Sequence, residues 1–366
     1  MARQGAPDKV FIGLVISLVV IGLLVFFSAA LSVLAQDEGQ FYRMLFNQLA
    51  LGLVGGGICF YFISKLDYRI WKKHALVIFI ISILSLLLVF VPGLGFEHGG
   101  ARRWLDLGPI SFQPAELVKL GFVIYAAAWF SWIGEKVKEF QWGLVALMAM
   151  VGVVGAILLL QPDTGTLLVI MAAGGAIYFV AGAPWKHIGV LILLAIVGLG
   201  ALVAVRPYLI DRIQTFVNPG HDPLGSSYQI QQSLIALGSG RVIGRGYGQS
   251  VQKFNYLPEP AGDSVYAVLG EEMGFFGTVL ILLLYIAFAL RGFWIAFRTR
   301  TNFGQYLAIG IVVLVIVQSF LNIGSALAVF PLTGLPLIFI SQGGSALLFA
   351  LLEVGIIVNI SKHRKR

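Results

Sequence analysis

Residues 257–277 read LPEPAGDSVYAVLGEEMGFFG, a proline-marked polar approach that turns at Asp263 into an apolar run continuing to residue 290. A carboxylate where a membrane-length helix meets water is unusual. An unpaired charge entering hydrocarbon costs several kcal/mol or is neutralised. Two readings stay open. Asp is a favoured N-cap, so Asp263 could simply cap a helix that starts at Ser264. Alternatively, the helix end holds the carboxylate at the membrane surface for chemistry there. Deeper in the same run lie Glu271 and Glu272. On a continuous helix Glu271 sits roughly 80° around and about 12 Å beyond Asp263, with Glu272 on the opposite side. Both acids then need partners or protons.

Outward from this stretch the chain is apolar throughout. Of its 366 residues 58% are hydrophobic and 11% charged, which excludes an ordinary soluble globular protein. Ten apolar runs of bilayer-spanning length lie near residues 10–34, 44–63, 75–92, 115–133, 142–160, 165–183, 187–205, 264–290, 304–329 and 343–361. The expected fold is all-α: one polytopic domain over residues 1–366, with ten transmembrane helices and a large extracytoplasmic loop, 206–262, between the seventh and eighth. The first run, at about 25 residues, is too long for a cleaved signal sequence and reads as a retained helix. The single Cys59 forbids an intrachain disulfide.

The net charge of +8 could suggest nucleic acid, but its placement points to a membrane. With the N-terminus inside, the inner segments carry Arg3, Lys9, Lys65, Arg69, Lys72, Lys73, Lys136, Lys138, Lys186, Arg291, Arg298, Arg300, Lys362, Arg364, Lys365 and Arg366. The short outer loops hold only Arg43, Arg102 and Arg103. Both termini are therefore expected in the cytoplasm.

Four outer features carry chemistry-bearing residues. In EHGGARRWLDLGPISFQPAELVKLGF (97–122), Arg102 and Arg103 either snorkel to headgroups or grip a phosphate. Glu116 and Lys119, three apart, share a helix face as a structural ion pair or as the wall of a polar cavity. In LLLQPDTGT (158–166), Asp163 caps a turn. The loop 206–262 places Arg206, Arg212, Arg241, Arg245 and Lys253 against Asp211, Asp222 and Glu259, a balance suited to an anionic amphiphile. In FPLTGLPLIFISQGGSALL (330–348), prolines and glycines preclude a straight helix: the stretch is either a plain outer turn or irregular backbone at membrane depth, which is tolerated only inside protein or around a cavity.

Other chemistries are excluded. The five histidines are scattered without ligand spacing, and no P-loop occurs. Ser250 and Lys253 form an SxxK, but no KTG accompanies it, so a serine nucleophile is rejected. Carboxylates are the remaining acid or base groups.

Together, ARRWLDLGPISFQPAELVKL, LLQPDTGT, QKFNYLPEPAGDSVYAVLGEEMGFFG and FPLTGLPLIFISQGGSALL resemble, in order and spacing, the SEDS family of membrane glycosyltransferases, the FtsW, RodA and SpoVE proteins. The resemblance implies a peptidoglycan glycosyltransferase. It would polymerise lipid II, an undecaprenyl-pyrophosphate disaccharide-pentapeptide, into glycan at the outer face of the bacterial cytoplasmic (inner) membrane. The alternative is a lipid II flippase.

Position by position, Asp263 falls at the family's essential aspartate, Glu116 with Lys119 at its ion pair, and Asp163 at the acid of the QPD turn. Arg102, Arg103, Arg241 and Arg245 become candidates for neutralising the departing pyrophosphate. Ser341, Gly343, Gly344 and Ser345 become candidate substrate contacts. The implied reaction is one inverting displacement with Asp263 as general base and no covalent intermediate. The resemblance fixes no cofactor, and a divalent cation on the pyrophosphate is a candidate. The implied partners are a class B penicillin-binding protein, which supplies the transpeptidase this chain lacks, and other division or elongation membrane proteins; nucleic acid is not among them. The chain departs from the family at Gly262-Asp263-Ser264-Val265-Tyr266 and at Gln342. QKFNYLPE and the ending LLEVGIIVNISKHRKR are more similar to FtsW than to RodA, which implies a division role.

Overall fold

A computed structural model of the chain describes residues 5–98, 101–106, 108, 110–218, 220, 222, 225 and 227–364. Arg3, Lys365 and Arg366 of the inner basic set, and His221, lie outside the described residues. Each of the ten apolar runs is helical. These are α1 (Lys9–Leu34), α2 (Glu38–Lys65), α3 (Ala75–Phe90), α4 (Pro114–Ile133), α5 (Phe140–Leu160), α6 (Thr164–Val180) and α7 (Trp185–Val205). After two shorter helices in the long loop, α8 (Pro207–Val217) and α9 (Tyr228–Ser239), follow α10 (Val265–Phe297), α11 (Asn302–Ala326) and α12 (Gly344–Ser361). Eight of the ten are long and apolar enough to cross a bilayer, whereas α3 and α6 are shorter. The expected count of ten crossings therefore does not follow from helix length.

Local chemistry sets the helix starts. Asp8 caps α1 by accepting from Phe11 N, Asp37 caps α2, Pro114 opens α4, and Asp163 caps α6 through Thr166 N. The sequence did not forecast a small antiparallel sheet between α3 and α4: β1 (Gly95–His98), β2 (Ala101–Asp106) and β3 (Ser111–Phe112). Helices α11 and α12 are buried on most sides and form the centre, while α7 has no buried residue.

Close approach at the centre depends on small residues. A Cβ on Gly56 of α2 would lie 2.8 Å from Leu351 Cδ1 of α12, whereas Gly57 faces open space. Of the three consecutive glycines in α2, then, Gly56 makes the tightest contact.

Between α11 and α12 the chain is irregular from residue 331 to 343 and turns back into the bundle. Leu335, Leu337, Ile338, Phe339 and Ile340 are all buried. Phe339 O presses against mid-helix Gly22 of α1, where a Cβ would come within 2.1 Å of it. The carbonyls of this re-entrant segment are satisfied from neighbouring helices, Pro336 O by Gln318 Nε2 at 3.0 Å and Ile338 O by the Tyr285 hydroxyl. That is the condition under which irregular backbone survives at membrane depth.

Candidate active site

Helix α10 is broken at Gly274, whose φ of 65° and ψ of −162° leave the helical region. This conformation favours glycine, and a Cβ would also lie 2.3 Å from Gly244 N. Residues 265–273 thus form a separate arm, and the straight-helix spacing between Asp263 and the two glutamates does not hold. Glu272 meets Ser28, about 20 residues along α1 from Asp8, while the Asp263 carbonyl meets Asn322, about 20 residues along α11 from Asn302. Both points lie about 30 Å from the opposite end of the bundle, so the two acids sit at similar depth.

The glutamates find their partners in the preceding loop. Glu271 accepts from Ser250 Oγ at 2.6 Å and from the backbone N–H groups of Val251 and Gln252 at 3.1 Å, with Arg245 Nε 3.4 Å away. Glu272 accepts from Lys253 Nζ at 2.7 Å and from Ser28 Oγ at 2.6 Å. The SxxK pair is therefore a structural clamp with both side chains buried, in keeping with its rejection as a nucleophile.

Asp263 does not cap the helix. Ser264 occupies the N-cap position, without a side-chain bond to the first turn, and the Asp263 carboxylate points elsewhere. Its Oδ1 accepts from Gln229 Nε2 of α9 at 3.2 Å, and the same amide donates to Ser264 Oγ at 3.1 Å. Its backbone carbonyl accepts from Asn322 Nδ2 at 2.8 Å. The re-entrant segment cradles the turn from below: Ser341 Oγ donates to Gly262 O at 2.6 Å and Gln342 N to Ala261 O at 2.7 Å. Burial pushes the carboxyl up to about 6. Glu259 acts in the same direction, while Gln229 and Arg212 oppose it.

Arg212 of α8 faces the same place. A Cβ on Gly334 would lie 4.0 Å from both Arg212 Nη2 and Asp263 Oδ2, so the absence of a side chain there keeps open the space between guanidinium and carboxylate. Arg212 Nη1 donates to Leu332 O at 2.7 Å. Burial, with Arg103 nearby, holds Arg212 below the usual arginine range, and Asp263 and Asp163 act in the opposite direction. Arg103 joins the group through the QPD turn: its Nε donates to Gln161 O at 3.3 Å and its Nη2 to Pro162 O. The structure thus assembles Asp263, Arg212, Arg103 and Asp163 from four distant stretches.

The other expected residues lie elsewhere. Lys119 Nζ binds Glu116 at 2.8 Å and Gln318 Oε1 at 2.5 Å, buried in the core beside a cavity of about 10 Å³ that Glu353 also lines. That volume is about one water. The pair reaches the site only indirectly, through Gln318 and Pro336. Ser345 Oγ donates to Ser111 O at 3.1 Å, Gly343 N donates to Gln48 Oε1 at 2.9 Å, and Gly344 packs on Asn47. These contacts join α12 to α2 and β3. Arg102 is exposed on β2, while Arg241 and Arg245 sit at the Gly274 break.

Arg212, Gln229 and Asn322 were not singled out from sequence as site residues. Asn322, with Gln318 one turn before it in an apolar helix, carried a usable signal, because buried amides in membrane helices require partners. Among the described residues no three His, Cys, Asp or Glu side chains converge. A divalent cation here would have too few protein donors to be held without oxygen atoms from a substrate.

The model of the FtsW/RodA/SpoVE family, described as cell cycle protein, matches residues 8–366. The chain is 37% identical to stage V sporulation protein E of Bacillus subtilis, covering 99% of each chain. It is 35% identical to a probable peptidoglycan glycosyltransferase FtsW of Geobacter sp. strain M18, over 100% of this chain and 99% of that one. Among solved structures, it superposes on a chain of a peptidoglycan synthase complex with TM-score 0.80 at 30% identity, covering 97% and 98% of the two chains. It superposes on the rod shape determining protein RodA of Thermus thermophilus with TM-score 0.71 at 28% identity, covering 99% and 98%. With the family model matched over residues 8–366 and relatives 35–37% identical over nearly the whole chain, the chain belongs to the FtsW/RodA/SpoVE family of cell cycle proteins.

Proposed function

We propose that this chain is a peptidoglycan glycosyltransferase acting as a single domain over residues 1–366. It polymerises lipid II at the outer face of the bacterial cytoplasmic membrane, with both termini in the cytoplasm. The observation that carries this reading is the shared orientation of Asp263 and Arg212 toward the gap at Gly334. A base and a fixed cation on either side of one space are what a displacement at a sugar-pyrophosphate carbon requires.

In this scheme Asp263 takes the proton of the acceptor sugar's 4-hydroxyl. The freed oxygen attacks the anomeric carbon of the second sugar, and the bond to pyrophosphate breaks. Arg212 and Arg103 balance the leaving charge, while Arg102, Arg241 and Arg245 lie on the outer surface where the rest of an anionic substrate would pass. Gln229 orients the carboxylate, and the re-entrant segment with Ser341 fixes the turn that carries it. Glu116 with Lys119, and Gly343, Gly344 and Ser345, support the site by packing. A class B penicillin-binding protein would cross-link the product, a pairing supported by the superposition on a synthase complex chain. The FtsW-like stretches support a role in division.

The test is polymerisation of lipid II by purified protein with its partner, comparing wild type with Asp263→Asn. The variant should lose activity by roughly 10² to 10⁴-fold, the usual worth of a general base, while its melting temperature changes little. Equal activity in both proteins would overturn the mechanism. Wild-type protein that forms no glycan yet moves labelled lipid II across liposomes would make the chain a flippase.

A further inference from the structure

The end of the bundle opposite Asp263 carries a second polar assembly that the reaction does not use. Asp8, buried at the start of α1, accepts from Arg291 Nε at 3.0 Å and Nη2 at 2.8 Å, and from Arg364 Nη1 at 2.8 Å. Around it the guanidiniums outnumber the acid. Arg291, Arg298 and Arg364 surround the Trp294 ring, with centroid distances of 4.0, 4.3 and 5.2 Å. Arg291, Trp294 and Arg298 follow one face of α10 at helical spacing, and a bridge between Thr299 and Arg364 holds the C-terminal segment against them. Among the described residues no carboxylate pairs with Arg298, which is exposed, and Arg291 and Arg364 both remain partly exposed beyond Asp8.

Orientation in a membrane needs only dispersed lysines and arginines. This cluster is more specific. Three weakly hydrated forks converge on one indole at a helix end, where a tryptophan sits at headgroup level. Their unused N–H groups offer paired donors that match a phosphate's oxygens. We propose that Trp294 with Arg291, Arg298 and Arg364 forms a binding site for the phosphodiester of an anionic phospholipid in the leaflet at this end of the bundle. A neutral zwitterionic headgroup would bring its own cation into a site with surplus positive charge, so the site selects anionic lipid.

Full-length protein reconstituted into phosphatidylcholine vesicles with and without phosphatidylglycerol, then gently re-extracted, can be weighed with its retained lipid by native mass spectrometry. Wild type should retain phosphatidylglycerol in preference. Arg298→Gln should weaken that preference roughly tenfold, the worth of one charge-assisted contact, while melting like wild type in phosphatidylcholine. Arg300→Gln removes the same charge from a neighbouring exposed position and should leave the preference intact. Equal retention of the two lipids by wild type, or equal losses in both variants, would overturn the proposal. Inorganic phosphate that stabilises the protein as well as phosphatidylglycerol does would assign the cluster to a soluble anion and overturn the lipid assignment.

Discussion

Asn322 donates its side-chain amide to two backbone carbonyls, those of Asp263 and Leu335, at 2.8 Å each. One residue of α11 thereby ties the turn bearing the proposed base to the re-entrant segment beneath it. Asn322→Leu leaves two buried carbonyls without a donor, at about 1–3 kcal/mol each. The melting temperature should fall and kcat should fall more than KM rises, because the base moves while substrate contacts persist. A change in KM alone would assign Asn322 to binding.

A carboxyl raised to about 6 fixes the acid limb of the rate profile. Activity, measured as glycan formed against pH, should rise through pH 6, two units above where an ordinary aspartate would place it. Stability runs the opposite way. Between about pH 4 and 6 the native state holds a proton that the unfolded chain has lost, so this residue destabilises the fold increasingly as pH rises through that window. Asp263→Asn lacks the effect and should melt no lower than wild type above pH 6.

Glu116 and Lys119 are buried together, so removing either charge alone should cost about 3–5 kcal/mol. Exchanging the two should restore only part of this. A carboxylate at position 119 would face Gln318 Oε1, and turning that amide over would break its bond to Pro336 O. Monodisperse yield in size-exclusion chromatography should rank wild type first, then the exchange, then the single charge removals. Full recovery in the exchange would show that Gln318 is not part of the network.

Two glycines in α1 separate packing from propensity. Gly13 has open space around it, so Gly13→Ala should stabilise the helix by up to about 1 kcal/mol. Gly22 lies against Phe339 O, so Gly22→Ala must displace the re-entrant segment and should lower both melting temperature and glycan synthesis. Thermal unfolding of the two variants side by side checks the contrast.

The helices were legible because bilayer thickness imposes a length and a composition, which eight of the ten runs keep as helices while α3 and α6 keep only the apolar composition. The break between α11 and α12 was legible because Pro331 and Pro336 interrupt a helix, but its return into the bundle was not told apart from a plain outer turn. What escaped were relationships that no local pattern encodes. Sequence left Asp263 open between a cap and a site carboxylate because Asp favours the N-cap position, and only the structure shows that the helix begins one residue later and Gln229 takes the carboxylate. The partners of Glu271 and Glu272 lie about 20 residues upstream and in α1, and Gly274 redirects the arm that carries these acids. Arg212 was visible only as one basic residue among several in a long loop, because its place opposite Asp263 depends on how α8 folds back over residue 332.

The clamp formed by Glu271 and Glu272 has a consequence for biogenesis. Synthesis runs from the N-terminus, so Ser28 and then Arg245, Ser250 and Lys253 are made before the acids they will bind. Until α10 is inserted, the loop is held to α1 only by contacts such as Tyr247 to Leu24 O and Lys253 to Ser28, and Lys253 lacks the carboxylate of Glu272. The bond between Ser28 and Glu272 closes over 244 positions of chain. The clamp therefore closes only when the arm carrying Asp263 has arrived, and the Asp8–Arg364 contact at the opposite end, which spans 356 positions, can form only after that.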